Sequence, residues 1–109
     1  MWNEPTQNQL NQIPKLYETE NIPTKEKIIY EHFFIFGCDW YIAEYDGNDI
    51  FFGYTILNSD YVNSEWGYIS YDELKSVKIN GFEVERELNW KPKQFSEIEK
   101  SELCLQIDN

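Results

Sequence analysis

From Ile28 to Leu74 the chain runs for 47 residues without a lysine or arginine, and this stretch holds 14 of its 19 aromatic residues. Segments dense in aromatic and β-branched side chains fit pleated, half-buried surfaces, so the centre of the chain reads as sheet. The same stretch carries nine carboxylates, Glu31, Asp39, Glu44, Asp46, Asp49, Asp60, Glu65, Asp72 and Glu73. It therefore holds −9 of the net −11, and each flank sums to only −1. Charge this one-sided does little for folding, but it biases which surfaces the protein approaches. It disfavours nucleic acid and anionic membranes and favours a basic partner. A disordered acidic tail is excluded, because such tails are poor in aromatics.

The length of 109 residues allows one core and not two. Residues 1–12 are polar, rich in Asn and Gln and without periodicity, and are expected to form a flexible lead-in. Residues 13–109 are then a single α+β domain. Cys38 and Cys104 lack metal-ligand spacing and make no disulfide framework, so a reducing compartment is expected. The N-terminal residues do not resemble a signal peptide. No apolar run approaches the roughly 20 residues of a membrane span, so a cytoplasmic protein is expected.

Pro14 and Pro23 favour extended or turn segments up to Thr24, with room for a short helical turn at Tyr17–Glu20. Strands are expected over Lys27–Phe36, Asp39–Tyr45, Ile50–Leu57 and Glu65–Ser70. Gly37-Cys38 breaks the first from the second, and Asp46-Gly47-Asn48-Asp49 is a strong hairpin turn. Gly53 inside a strand signals a bulge or a close approach of backbone. Ser70-Tyr71-Asp72-Glu73 reads as a capping box opening a helix to Val77. Phe82–Leu88 reads as a fifth strand, with Phe82, Val84, Arg86 and Leu88 on the core face and Glu83, Glu85 and Glu87 facing solvent. A second capping box, Ser96-Glu97-Ile98-Glu99, opens a helix to about Gln106 with Ile98, Leu103 and Leu105 as its apolar positions. The fold expected is an antiparallel β-meander of about five strands with two short helices.

Few residues carry chemistry. His32, the only histidine, lies inside a strand with no partner motif, which reads as structural rather than as a base or metal ligand. Cys38 reads as a free surface thiol. No phosphate loop, nucleophile elbow or zinc signature occurs, so neither an enzyme nor a cofactor is expected. The 46–49 segment lacks the spacing of a calcium loop. An aromatic platform for single-stranded nucleic acid would need cations beside the rings, and the central stretch has none. Arg86, the only arginine, falls on a core-facing position, so it should form a partly buried ion pair with a carboxylate of a neighbouring strand.

Several blocks nevertheless form a pattern: Leu16–Glu20, Lys27-Ile28, Phe33-Phe34, Trp40–Gly47, Phe51-Phe52-Gly53, Glu65–Ser70, Glu73-Leu74, Glu83–Leu88 and Trp90-Lys91-Pro92. Together, and above all through the WY-x-x-E-Y-D-G, F-F-G and E-R-[DE]-L blocks, they resemble a family of small bacterial proteins of unknown function over about residues 14–98. That family is commonly encoded on conjugative plasmids, integrative elements and phages, often near genes that counter host defence. The chain departs from it in a short segment between Phe36 and Trp40, and the polar lead-in and everything past Ile98 lie outside the match. The family has no established catalytic residues to carry over.

Composition and resemblance together imply an acidic, mobile-element-encoded binding protein. It would inhibit a host nucleic-acid-targeting defence enzyme by nucleic-acid mimicry, in the manner of anti-CRISPR or anti-restriction proteins. Its partner would be a basic, nucleic-acid-binding or nuclease component. An accessory protein-interaction module is the alternative, and a small-molecule-binding or catalytic domain using Arg86 or the acidic turn is a third. In a meander, Glu44, Asp46, Asp49, Asp72 and Glu73 should converge at one end of the sheet, with Tyr45 or Tyr71 as aromatic anchors, while Asp39, Asp60 and Glu65 sit nearer the other end.

Overall fold

A computed structural model describes residues 1–101. Its centre is a five-stranded antiparallel sheet built from β2 (Glu31–Ile35), β3 (Cys38–Tyr45), β4 (Ile50–Ile56), β5 (Glu65–Ser70) and β8 (Glu85–Arg86), in the order β5-β4-β3-β2-β8. Two small ladders flank it: β1 (Ile28–Ile29) with β9 (Lys93–Gln94), and β6 (Lys78–Ile79) with β7 (Phe82–Glu83). Helices α1 (Gln7–Asn11), α2 (Tyr71–Ser76) and α3 (Phe95–Ser101) are short, as is a 3-10 turn at Thr24–Glu26. The fold is α+β, with a meander through β5.

The central strand explains the density of rings. β3 is covered on both faces, so it reads as an almost unbroken apolar run. One face packs Phe33, Trp40, Ile42 and Phe51 against Leu10 and Ile13 from the N-terminal segment and Tyr71 and Leu74 of α2. The opposite face packs Tyr41, Ala43 and Ile56 against Ile29, Phe95 and Ile98. Each fully buried ring or branched chain contributes on the order of 2 kcal/mol, so the domain closes two thin cores, one on each face of the sheet, where its length had pointed to one.

Two turns of the backbone set the register. Phe36 and Gly37 both have positive φ (38° and 80°), the two-residue geometry that matches strand twist in a tight hairpin. Farther along, Ile42 pairs with Gly53 but Glu44 pairs with Phe52, so Ala43 is an extra residue in β3. A Cβ on Gly53 would lie 2.1 Å from the Tyr41 carbonyl oxygen, which is why this strand position holds glycine.

Three further expectations need correction. Residues 1–12 are not a featureless lead-in. Thr6 and Gln9 form a capping box for α1, Leu10 is buried, and Trp2 bridges to Glu85 through its backbone. The fifth strand is broken at Val84: this residue is fully buried and Glu85 exposed, but Phe82 and Leu88 are 61% and 57% exposed. The break lets Phe82–Glu83 pair with β6 and Glu85–Arg86 with β2, so one alternation cannot run through both pieces. The last helix begins at Phe95, ahead of the expected Ser96 cap, because Phe95 is needed in the core. Leu103, Leu105 and Cys104 lie outside the described residues. Among the described residues, no helix is long and apolar enough to cross a membrane.

Candidate functional site

The acidic end of the sheet is assembled by β-turn and helix-start chemistry. Asp46 Oδ1 accepts the backbone N–H groups of Asn48, Asp49 and Ile50 at 2.8, 2.8 and 3.0 Å. Those bonds favour the charged form and hold the Asp46 carboxyl below its usual range, although the residue is exposed. Asp49 then reaches across to β5 and α2. Its carbonyl accepts the Tyr71 N–H at 2.8 Å, one carboxylate oxygen accepts the Asp72 N–H at 2.7 Å, and the other accepts the Ser70 hydroxyl at 2.9 Å. Ser70 caps α2 by accepting the Glu73 N–H at 3.2 Å, so the carboxylate that completes this cap is Asp49 rather than the expected Glu73. Asp72 and Glu73 remain exposed, with Lys75 lying 3.6 Å from Asp72.

The chain therefore brings Asp46, Asp49, Asp72 and Glu73 to one end, through the pairing of Ile50 with Ser70. Asp39 and Glu65 stand on either side of the far end of β4, opposite Ile56 and Thr55. Three residues expected at the acidic end do not present themselves there. Glu44 is 3% exposed and turns away to the 17–19 segment, where it accepts the N–H groups of Tyr17 (2.9 Å) and Thr19 (3.1 Å). Tyr45 and Tyr71 are buried, packed with Phe51 at ring separations of 4.8 and 5.1 Å, and offer no ring to a partner. Their hydroxyls are also committed, Tyr45 to the Asn48 carbonyl and Tyr71 to Glu4. Burial pushes the Tyr45 hydroxyl above its usual pKa, and the neighbouring charges of Asp46, Asp49 and Asp72 push it further.

Arg86 lies 3.5 Å from Glu31 on the adjacent strand and donates from Nε to the Asn3 carbonyl at 2.7 Å. Burial raises the Glu31 carboxyl above its usual range, and Arg86 only partly offsets this. Cys38 is buried rather than a surface thiol, with its sulfur accepting the Asn58 N–H at 3.5 Å.

His32 has partners that no sequence spacing announces. Its Nδ1 lies 2.7 Å from Glu87 and its Nε2 2.7 Å from Asp39, while its ring stacks on Tyr41 at 4.3 Å. Burial alone would push His32 downward, but hydrogen bonds to the two carboxylates outweigh it and the net shift is upward from 6.5. The stabilisation is therefore complete below pH 6.5 and is lost as pH rises through the higher folded value. Denaturant titrations at stepped pH should show stability falling on the alkaline side of this window. His32→Gln should flatten that slope, and an unchanged slope would assign it to other groups.

Comparison with protein families, with characterised proteins and with solved structures finds no match.

Proposed function

We propose that the chain is an acidic binding protein of a mobile element. It inhibits a host nucleic-acid-targeting defence enzyme of the anti-restriction or anti-CRISPR target type by occupying a basic groove in place of nucleic acid. The observation that carries this reading is the convergence of Asp46, Asp49, Asp72 and Glu73 where the 46–49 turn meets the start of α2. Duplex DNA presents roughly one charge per 1.7 Å, and a surface that competes with it must concentrate carboxylates in this way. The protein would need no catalytic group or cofactor for this role.

Asp49 holds the start of α2, so charge removal should spare it. The variant Asp46→Asn/Asp72→Asn/Glu73→Gln keeps the acceptor atoms and deletes three charges. Against purified restriction and CRISPR nucleases, wild-type protein should compete with DNA in a salt-dependent manner. The triple variant should lose about tenfold in affinity at ~0.1 M salt while melting normally. Equal inhibition by both proteins would remove this surface from consideration.

The alternative, an accessory protein-interaction module, draws support from Phe36 and Phe82. These rings are 58% and 61% exposed and pack edge to face at 5.3 Å between two hairpins. Loss of partner binding in Phe36→Ser/Phe82→Ser, with the charge variant unaffected, would favour this reading.

A further inference from the structure

The residues that the acidic end leaves unused meet elsewhere. Five separate sequence blocks, Leu16–Glu20, Lys27-Ile28, Trp40–Gly47, Phe51–Gly53 and Glu65–Ser70, each send a residue into one cavity of about 520 Å³. That volume lies within the range of small-molecule sites, roughly 300–1,000 Å³. Its aromatic lining is Tyr17, Phe52 and Tyr68, and its charged lining includes the buried pair Lys27 and Glu44.

Those two charges are 4% and 3% exposed, and neither forms a salt bridge among the described residues. The hydroxyl of Thr19 stands between them, donating to Glu44 and accepting from the Lys27 ammonium at 2.9 Å. Lys27 also donates to the Thr19 carbonyl. Glu44 thus accepts three hydrogen bonds of about four it can hold, and Lys27 donates two of its three protons. One lone pair of Glu44 and one Lys27 proton remain beside the cavity, with the ammonium lying over the Phe52 ring at 5.9 Å.

The backbone adds an independent sign. Tyr17 sits in the left-handed region at φ 71°, and its N–H is the one that Glu44 accepts. Non-glycine residues kept in this region concentrate where a ligand is held. Tyr17 and Tyr68 nonetheless keep their rings 62% and 59% exposed, which leaves aromatic faces open at the rim.

We propose that this cavity binds a neutral planar heterocycle of the nucleobase or nucleoside class. Lys27 and Glu44 offset each other, and the remaining charged residue of the lining, Glu20, makes it net negative, which disfavours an anion. A single remaining acceptor and donor match the adjacent N–H and ring acceptor on the edge of a base. An amino-acid zwitterion would bring three ammonium protons and a full carboxylate, leaving most of them desolvated and unpaired. Stacking on Tyr17 or Tyr68 at the rim supplies the apolar part of the affinity. Phosphorylated forms are disfavoured by the strongly negative chain.

The test titrates the whole protein with adenosine, cytidine, guanosine and uridine, followed by calorimetry and by tryptophan fluorescence. Trp66 is the reporter, since its ring stacks on Phe52 at 5.7 Å. At least one nucleoside should bind saturably with a Kd at or below about 1 mM. The 5′-monophosphate of that nucleoside should bind more weakly. Tyr68→Ala, at an exposed position, should weaken binding about tenfold without lowering the melting temperature, and Tyr68→Phe should retain it. Absence of saturation by all four nucleosides at ~10 mM, equal binding of L-phenylalanine, or undiminished binding by Tyr68→Ala would each overturn the proposal.

Discussion

Gly53→Ala should destabilise the domain by at least about 3 kcal/mol, and unfolding in denaturant will read it directly. The added carbon would sit 2.1 Å from the Tyr41 carbonyl oxygen, 3.0 Å from its carbon and 3.2 Å from the Ile42 Cα. All three are backbone atoms of the central strand, so no side chain can swing aside. Either β3 and β4 separate or the bulge at Ala43 is lost, and both faces of the sheet lose packing with it. The control is the cross-strand neighbour Gly67, where nothing lies within 4 Å of an added Cβ. Gly67→Ala should be neutral or stabilising by a few tenths of a kcal/mol, because it mainly restricts the unfolded chain. Similar stabilities for the two variants would mean that the strands are not held as described.

Arg86→Ala should cost about 3 kcal/mol, since it strands the buried Glu31 carboxylate. It also removes the bond from Nε to the Asn3 carbonyl, which fastens the N-terminal segment to β8. Arg86→Lys should recover only part, because a single ammonium cannot serve both Glu31 and Asn3 in the geometry of the guanidinium fork. The deficit should depend on pH in a defined direction. Glu31 is raised by burial in the folded protein, so its contribution is fully present below its ordinary value of 4.5 and lost as pH rises through the folded value. Without Arg86 the folded value rises further and the loss deepens, so the gap to wild type should narrow as pH falls. Adding Glu31→Gln to the variant should close much of the gap at neutral pH. A double variant no more stable than Arg86→Ala would show that the cost arises from packing alone.

What was legible in the sequence follows from range. Strands β2 to β5 are announced by local patterns, since period, ring content and turn residues act over a few positions. Gly53 is equally local, because a glycine in an apolar strand has few explanations. Arg86 was placed by alternation over three residues, which survives the break at Val84 because both Val84 and Arg86 still face inward. Phe82 and Leu88 were not, since the same alternation was carried across a change of partner strand.

The site is less legible because its determinants are distant. A carboxylate looks the same in sequence whether it faces water, as Asp72 does, or feeds a loop, as Glu44 does. The burial of Tyr45 and Tyr71 depends on α2 folding back over Phe51. His32 lies 55 positions from Glu87, and Lys27, one residue before the cation-free stretch, has no local signal of its burial beside Glu44. The order of the N-terminal residues was missed for a related reason. Polar composition conceals Leu10 and the capping box, and the strand that receives Trp2 lies more than 80 residues away.

The placement of β8 beside β2 gives synthesis a direction. Phe33 pairs with Arg86, so the outer edge of β2 waits for about fifty further residues to be translated, roughly three to ten seconds. During that interval the β2–β5 meander can close on itself, but one strand edge and the Val84 position stay vacant. The nascent sheet presents an open hydrogen-bonding margin to the cell, and its late-arriving strand also delivers the countercharge to Glu31. Completion of the central sheet and neutralisation of its buried carboxylate are thus a single event, timed by translation.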